Sequence, residues 1–260
     1  GFTVGTDGSY NTSSATYVGW QWKANGAGSS NTDGSLASTV SANTAAGFSI
    51  VTATPGTSGT DTIGHGLGVA PKMIIGKNVN LADNWHVYHD AISPTNEVRL
   101  NTTSAATTTT WQSASTSSVF QIINGAWTNG GQVCLFYCFA EVEGFSKISS
   151  YTGNGSATDG PFVYTGFKPA FVIFKVSSNA PTGWVMLDNQ RDTYNAVNHV
   201  LQPNESSAEN SGADNWDILS NGFKVRTTWG AVNGSGYTVT YMAFAENPFG
   251  GGGVAPATAR

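Results

Sequence analysis

The feature that most limits how this chain can fold is a long internal repeat. The segment LFYCFAE at 135–141 recurs as TYMAFAE at 240–246, 105 positions later (240 − 135). APKMIIGK at 70–77 recurs as KPAFVIFK at 168–175, 98 positions later (168 − 70). A repeat of this length corresponds to a domain rather than to one turn of a solenoid. The chain is therefore expected to contain two copies of one fold.

The composition of each copy favours β-strands. Thr, Val, Phe, Tyr and Trp are frequent, 32 glycines punctuate the sequence, and good helix formers are scarce. Short alternating runs such as WHVYH and FVIFK are separated by turns rich in Gly, Asn and Ser. This spacing is typical of β-sandwiches and jelly rolls. We therefore predict an all-β protein with two tandem sandwich modules, jelly-roll or lectin-like, at 47–143 (module 1) and 144–247 (module 2).

A third, incomplete copy opens the sequence. GFTV, a polar loop and YVGWQWKA, within 1–24, match GFKV, a polar loop and VTYMAFAE, within 222–246. We therefore predict that residues 1–24 form the last β-hairpin of an incomplete upstream module. Because an isolated hairpin is only marginally stable in water, it must pair with a neighbouring module or with another subunit. The residues predicted to mediate this assembly are Phe2, Val4, Val18, Trp20 and Trp22.

Two segments lack the apolar residues that a packed element needs. Residues 25–46 consist mainly of Gly, Ser, Thr, Asn and Ala, which predicts a linker. Residues 248–260 show no periodicity and are predicted to form a flexible C-terminal tail.

Charge and hydropathy exclude two classes of partner. The net charge is −5 and no basic cluster occurs, so nucleic acid is not an expected partner. No run approaches the roughly 18 consecutive apolar residues that a membrane-spanning helix requires.

Only 10% of the residues are charged, against about 25% in an ordinary soluble domain. Hydroxyl and amide groups must therefore supply the solubility.

The two cysteines are predicted to be structural. Cys134 and Cys138 are four positions apart, which on a strand means the same face but a separation of roughly 13 Å. That is too far for a disulfide. In the aligned repeats Cys138 is replaced by Gln21 and Ala243, so we interpret the thiols as small buried apolar groups. The neighbouring Tyr137 and its equivalents are predicted to mark a core face.

The motif DNWHVYHD is the strongest candidate for a metal or acid–base site. His86 and His89 are three positions apart, which places them on opposite faces of a strand. They could not share one metal ion without a bend, so no metal site is predicted. No nucleophile elbow, phosphate loop, zinc signature or EF-hand loop occurs either. We therefore predict no cofactor and no enzymatic activity.

A polar loop beside aromatic residues is the candidate ligand site. The segment MLDNQRDTYN at 186–195 brings carboxylate, amide and guanidinium groups close to tryptophan, a combination that suits sugar recognition or a subunit contact. A simpler interpretation is a loop that hydrogen-bonds to its own backbone. The candidate ligand-binding residues are Trp85, Trp184, Asp188, Asn189, Arg191 and Asp192.

Several long blocks together resemble a known kind of protein. They include GFTVGTDGSYNTS, YVGWQWKANG, NWHVYHD and CFAEVEGFSKISSYTGNGSATDGPFVYTGFKPAFVIFK. These blocks are similar to tandem β-sandwich modules in the tail-fibre and other virion proteins of tailed bacteriophages, especially marine ones. The resemblance implies a non-enzymatic structural protein at the virion surface, in an extracellular setting. Its expected partners are further copies of itself and other virion proteins, with host surface glycans as an additional candidate.

Two other functions are compatible with the sequence. A pair of carbohydrate-binding modules from a secreted glycan-active enzyme would expose aromatic side chains on one face. The candidates would be Trp85, Trp111, Trp184 and Trp229. A glycan depolymerase would need two carboxylates about 5 to 10 Å apart in a cleft, and the sequence shows no recognisable pair.

Overall fold

The computed structural model of the chain describes residues 2–108, 111, 114–128, 130–212 and 215–246. The all-β prediction is confirmed, because strands form nearly all of its regular structure. The strands are β1 (Ser29–Asn31), β2 (Ser38–Asn43), β3 (Phe48–Ala53), β4 (Thr60–Gly64), β5 (Met73–Asn78), β6 (His86–His89), β7 (Asn96–Arg99), β8 (Thr107–Thr108), β9 (Val119–Ile123), β10 (Cys134–Phe139), β11 (Ser146–Thr152), β12 (Phe162–Tyr164), β13 (Pro169–Val176), β14 (Trp184–Asp188), β15 (Trp216–Leu219), β16 (Gly222–Val225) and β17 (Thr238–Ala245). Single-turn helices are α1 (Gly8–Asn11) and α2 (Gly230–Asn233), with 3-10 turns at Thr44–Ala46 and Ala126–Thr128.

The strands form four antiparallel sheets. The large sheet of module 1 has eight strands in the order β1-β2-β3-β10-β5-β6-β7-β8 and is covered on one face by the pair β4-β9. Its strands β1 and β2 precede the predicted start of the module at residue 47, so module 1 includes them from here on. Module 2 contains a four-stranded sheet in the order β11-β17-β13-β14, covered by β12-β16-β15. The two large sheets pack against each other through their remaining faces.

The internal repeat corresponds to one strand arrangement used twice. The order β3-β10-β5-β6 in module 1 matches the order β11-β17-β13-β14 in module 2. Met73 pairs with Phe139 in module 1, and Phe171 pairs with Phe244 in module 2. These four residues occupy equivalent positions in the sequence repeat, so β5 and β13 pair with their closing strands in the same register.

Three hydrophobic cores follow from this layering. One fills the sandwich of module 1, one fills the sandwich of module 2, and the third lies between the modules. The intermodular core includes Phe48, Met73, Val87, Phe139, Phe171, Ile173, Trp184, Met242 and Phe244. Both faces of each large sheet are therefore largely buried, which explains the almost continuous apolar runs in β13 and β17.

The two faces of β10, the strand that carries the cysteines, contact different cores. Cys134 and Cys138 are buried, not disulfide-bonded, and belong to the sandwich core of module 1. Burial raises the pKa of Cys134 to about 11 and that of Cys138 to about 12. The face of Tyr137 and Phe139 is indeed apolar, but it packs between the modules rather than inside one sandwich.

The prediction of a linker over 25–46 is wrong. β1 and β2 extend the large sheet of module 1, and β2 pairs with β3 from Asn43↔Phe48 to Ser38↔Ala53. Backbone hydrogen bonds hold this edge, so it needs few apolar side chains. Val40 is buried, and the Ser41 hydroxyl donates to the Gly26 carbonyl at 2.8 Å.

The prediction of a hairpin over 1–24 is also wrong in its secondary structure. Within 2–24 the structure contains only the single turn α1 and no strand. Asp7 caps this turn by accepting a hydrogen bond from Ser9 N at 2.7 Å. The side chains of Trp20 and Trp22 nevertheless pack on the intermodular core of their own chain.

The C-terminal tail and membrane-spanning helices are the last features that the sequence analysis addressed. The tail predicted at 248–260 lies outside the described residues. In the described part of the chain, no helix is long and apolar enough to cross a membrane.

Candidate functional site

Three equivalent aromatic residues from the three repeats meet at one point. The ring centroid of Trp22 lies 5.9 Å from that of Phe139 and 5.5 Å from that of Phe244. The Phe139 and Phe244 centroids are 6.2 Å apart. We call these three residues the aromatic hub. Their edge-to-face geometry is the favourable one for aromatic pairs.

Trp20 anchors the same stretch on module 2. Its ring lies 5.4 Å from that of Phe171. The guanidinium carbon of Arg191 sits 5.9 Å from the Trp20 ring centroid, within the range of a cation–π contact. Residues 20–24 are therefore held by the folded modules, which sequence reasoning did not show.

The preceding residues, 2–18, form an exposed, mostly polar stretch that carries several exposed apolar side chains, and we call it the N-terminal segment. Phe2 is 67% exposed, whereas its repeat equivalent Phe223 is fully buried. Phe120, at the corresponding position of β9, is 2% exposed. The other large apolar residues exposed in the segment are Val4, Tyr10, Tyr17 and Val18.

An apolar groove opens on module 1 beside the aromatic hub. It has a volume of about 330 Å³ and lies on the intermodular face of the large sheet, beside the part of that face that module 2 covers. Trp85, predicted as a ligand-binding residue, is half-buried in its wall. The lining residues are Trp22, Phe48, Ile50, Ile75, Trp85, Leu100, Tyr137 and Phe139.

The polar loop at 186–195 is largely occupied by its own hydrogen bonds. Asp188 is 5% exposed, and its Oδ1 accepts from the backbone N–H groups of Gln190 and Arg191. Its Oδ2 accepts from Arg191 Nε at 2.7 Å, and Arg191 Nη1 donates to Glu209 at 2.7 Å. Asp188 and Arg191 are therefore structural groups with little capacity left for a ligand.

Asp192 is engaged in the same way. Its Oδ2 accepts from the backbone N–H groups of Asn198 and His199, both at 2.8 Å, and its Oδ1 lies 2.5 Å from His199 Nδ1. Burial alone would raise the pKa of Asp192, but the hydrogen bonds from His199 and Asn198 lower it overall. The Asp192 carboxylate therefore connects the polar loop to the backbone at Asn198 and His199.

What remains open is a small cleft beside this loop. It has a volume of 170 Å³ and is lined by Lys168, Asn189, Asp192 and Tyr194, among others. Tyr194 is 81% exposed, and sequence reasoning did not select it as a site residue. In the sequence, only its position within the polar run at 186–195 could have indicated a role for Tyr194 in ligand binding.

Trp184 does not belong to this cleft, so its predicted ligand-binding role is wrong. It is 2% exposed, and its Nε1 donates to the Arg99 carbonyl of module 1 at 2.8 Å. Trp111 is buried in the sandwich core of module 1 and is equally unavailable. Trp229 is partly buried against the core of module 2.

The two histidines of DNWHVYHD lie on opposite faces, as predicted. His86 stacks on Trp127, with ring centroids 4.4 Å apart, and its Nδ1 lies 2.8 Å from the buried Glu97 carboxylate. His89 points to module 2, where its Nε2 lies 3.2 Å from the Tyr241 carbonyl oxygen. Among the described residues, no group of three or more His, Cys, Asp or Glu side chains is arranged to hold a metal ion.

A protein-family model described as a domain of unknown function, DUF7483, matches residues 1–248. No curated protein and no solved structure matches the chain. The match covers both modules together with the N-terminal segment.

Proposed function

The chain belongs to the family of the DUF7483 domain of unknown function, and we propose that it is a non-enzymatic structural protein of the bacteriophage virion surface. In this role the N-terminal segment joins the chain to a neighbouring polypeptide, either a further copy or another virion protein. The virion assignment rests on the resemblance of the sequence blocks to phage tail-fibre and virion modules.

The exposed N-terminal segment carries the proposed assembly role. Phe2 is two-thirds exposed at a position where both complete modules bury their phenylalanine. Burying a Phe side chain is worth about 1.5 to 3 kcal/mol, so the exposed segment leaves a substantial driving force for association. The five exposed apolar side chains, Phe2, Val4, Tyr10, Tyr17 and Val18, make this segment the candidate contact surface.

The arrangement of the carboxylates supports a non-enzymatic role. Asp188, Asp192 and Glu209 are close to one another, but Arg191 and His199 hold them by ion pairs and hydrogen bonds. A glycoside hydrolase needs one carboxylic acid and one carboxylate directed at a shared substrate cleft. Release of reducing sugars from a host polysaccharide by the purified chain would contradict this part of the proposal.

Sedimentation velocity tests the assembly role. The chain is expected to self-associate in a concentration-dependent manner, and the double variant Phe2→Ser/Val18→Ser is expected to sediment as a monomer. Tyr164→Ser is the matched control, because Tyr164 is 63% exposed on the outer sheet of module 2. Identical monomeric behaviour of the chain and the double variant at every concentration would refute association of the N-terminal segment with a further copy of the chain.

The cleft beside Tyr194 supports host-glycan adhesion as a second candidate function. An exposed tyrosine beside amide, ammonium and carboxylate groups matches the platform-plus-polar pattern of sugar sites. A pair of carbohydrate-binding modules from a glycan-active enzyme would use the same cleft. On a glycan array, Tyr194→Ala should weaken any specific signal by about fivefold or more, whereas Tyr164→Ala should not. A signal unchanged by Tyr194→Ala would exclude this cleft as the binding site.

A further inference from the structure

We propose that the groove on module 1 is the docking surface for a third β-sandwich module of the same fold. In this arrangement three modules pack around a pseudo-three-fold axis through the aromatic hub. Residues 2–24 are the last two segments of the third module, and its remaining strands are not among residues 1–260. The inference depends on the contact role of the N-terminal segment but not on the virion assignment.

The aromatic hub is the first observation that indicates three-fold packing. Trp22, Phe139 and Phe244 occupy the same position in the three repeats, and their mutual centroid distances of 5.9, 5.5 and 6.2 Å form a nearly equilateral triangle. If the two complete modules were related by a two-fold axis, a third equivalent residue would have no place between them. A ring of three modules brings all three residues together.

The tryptophan contacts between the modules are the second observation. Trp184 of module 2 is buried and donates through Nε1 to the Arg99 carbonyl of module 1. Trp85 is its repeat equivalent, 99 positions earlier (184 − 85), yet it is half-buried in the wall of the groove. The contact from module 2 to module 1 is thus not reciprocated. This one-way pattern is a heterologous interface, which closes into a ring when a further module follows.

A second pair of equivalent residues shows the same order of packing among the repeats. Trp20 of the incomplete copy packs on Phe171 of module 2. Its equivalent in module 1, Tyr137, lines the groove. The incomplete copy therefore packs on module 2, module 2 packs on module 1, and module 1 presents its own set of contact residues to an open position.

The exposed N-terminal segment identifies the occupant. Phe2 and Trp22 correspond to Phe223 in β16 and Phe244 in β17. In module 2 these two strands pair with β12 and β13, and the counterparts of β12 and β13 for the incomplete copy are not among residues 1–260. Strands equivalent to β11–β15 would cover Phe2 and, on the pseudo-three-fold axis, would also cover the groove. One partner thus accounts for both exposed apolar surfaces.

The test extends the full chain at its N terminus with a second copy of residues 144–221. This addition supplies every strand that the third module lacks, directly before GFTV. Ile75, half-buried in the groove, is replaced by cysteine as an accessibility probe, and labelling by a maleimide is followed with and without the extension. Background labelling is low because Cys134 and Cys138 are buried.

The extension is expected to slow labelling of Ile75→Cys by about tenfold or more. A cysteine at Tyr164, on the outer sheet of module 2, should react at the same rate in both chains. Trp85→Glu should restore fast labelling of Ile75→Cys in the extended chain, because it places a charge in the docking surface. The extension should also abolish self-association through the N-terminal segment.

Three results would overturn the proposal. The first is a folded, protease-resistant extension that leaves Ile75→Cys as reactive as before. The second is an extension that a protease trims back to Gly1, since the exposed faces would then have failed to support a third module. The third is concentration-dependent protection of Ile75→Cys in the chain without the extension, which would assign the groove to a second copy. A monomeric unextended chain would refute the proposed self-association and leave this inference standing.

Discussion

At the scale of single residues, equivalent positions of the two modules show which side chains the fold requires. Lys77 and Lys175 are 98 positions apart (175 − 77). Each directs its ammonium group to a loop carbonyl that follows its strand, Leu81 O and Thr182 O respectively, both at 2.6 Å. Burial lowers the pKa of Lys175 to about 8. A lysine is therefore retained at both positions because its long side chain reaches these carbonyls, although it is costly to bury.

His89 gives a pH prediction at the same scale. Burial is the main reason that the pKa of this histidine falls from 6.5 to about 4, while the unfolded chain keeps an ordinary value. Between pH 6.5 and 4 the unfolded state then binds more protons, so stability should fall by about 3 kcal/mol on acidification from pH 7 to 4. Burial also lowers the pKa of His65, which acts in the same direction.

Chemical denaturation at pH 7 and pH 4 measures this effect. His89→Gln keeps a donor for the Tyr241 carbonyl without a group that titrates in this range, so the variant should lose much less stability on acidification. The same loss in the chain and the variant would show that His89 does not control the response.

At the scale of secondary-structure elements, periodicity identified the strands but not the partner of each face. The alternation in β10 separates Cys134 and Cys138 from Tyr137 and Phe139, and burial on both sides follows from the apolar side chains. Which face meets its own sandwich and which meets the other module depends on tertiary packing. No local pattern encodes that choice.

The errors in the sequence predictions have the same origin. β2 carries serines and threonines and is held by backbone pairing to β3, so its composition resembles that of a linker. Trp184 was assigned to a ligand site because it adjoins the polar run, and the acceptor that buries its indole, Arg99 O, lies in a distant part of the chain that the local sequence does not show. For the polar loop at 186–195, the simpler interpretation of a loop that hydrogen-bonds to its own backbone agrees with the contacts of Asp188 and Asp192. The sequence does not show that Arg191, His199 and backbone N–H groups already occupy the carboxylates of this loop, because those contacts depend on the folded backbone.

The repeat provides a matched set of variants to test the role of the N-terminal segment in the fold. Phe120→Ala and Phe223→Ala should each destabilise the chain by about 3 to 5 kcal/mol, because each removes a ring from a filled sandwich core. Phe2→Ala removes the equivalent ring from an exposed position and should change the free energy of unfolding of the monomer by less than about 0.5 kcal/mol. Thermal or chemical denaturation at low protein concentration measures all three. A destabilisation by Phe2→Ala that matches the others would show that the N-terminal segment belongs to the folded core.

At the scale of the whole molecule, the chain is a stack of four sheets whose central layers are buried on both faces. Trp20 and Trp22 pack on the intermodular core, whereas the N-terminal segment before them exposes apolar side chains to solvent. This combination fixes the position of exposed apolar side chains beside the intermodular core. The central claim, made as a proposal, is that residues 2–18 are a contact surface for a further copy of the chain.

Hydrogen–deuterium exchange measured over a range of protein concentrations tests this claim most directly, because it locates the contact along the chain. The claim predicts that backbone amides of residues 2–18 exchange more slowly as concentration rises, while those of β12 on the outer sheet keep a constant rate. Phe2→Ser/Val18→Ser should remove the dependence on concentration. Exchange of residues 2–18 at one rate across all concentrations, identical in the chain and the double variant, would contradict the claim.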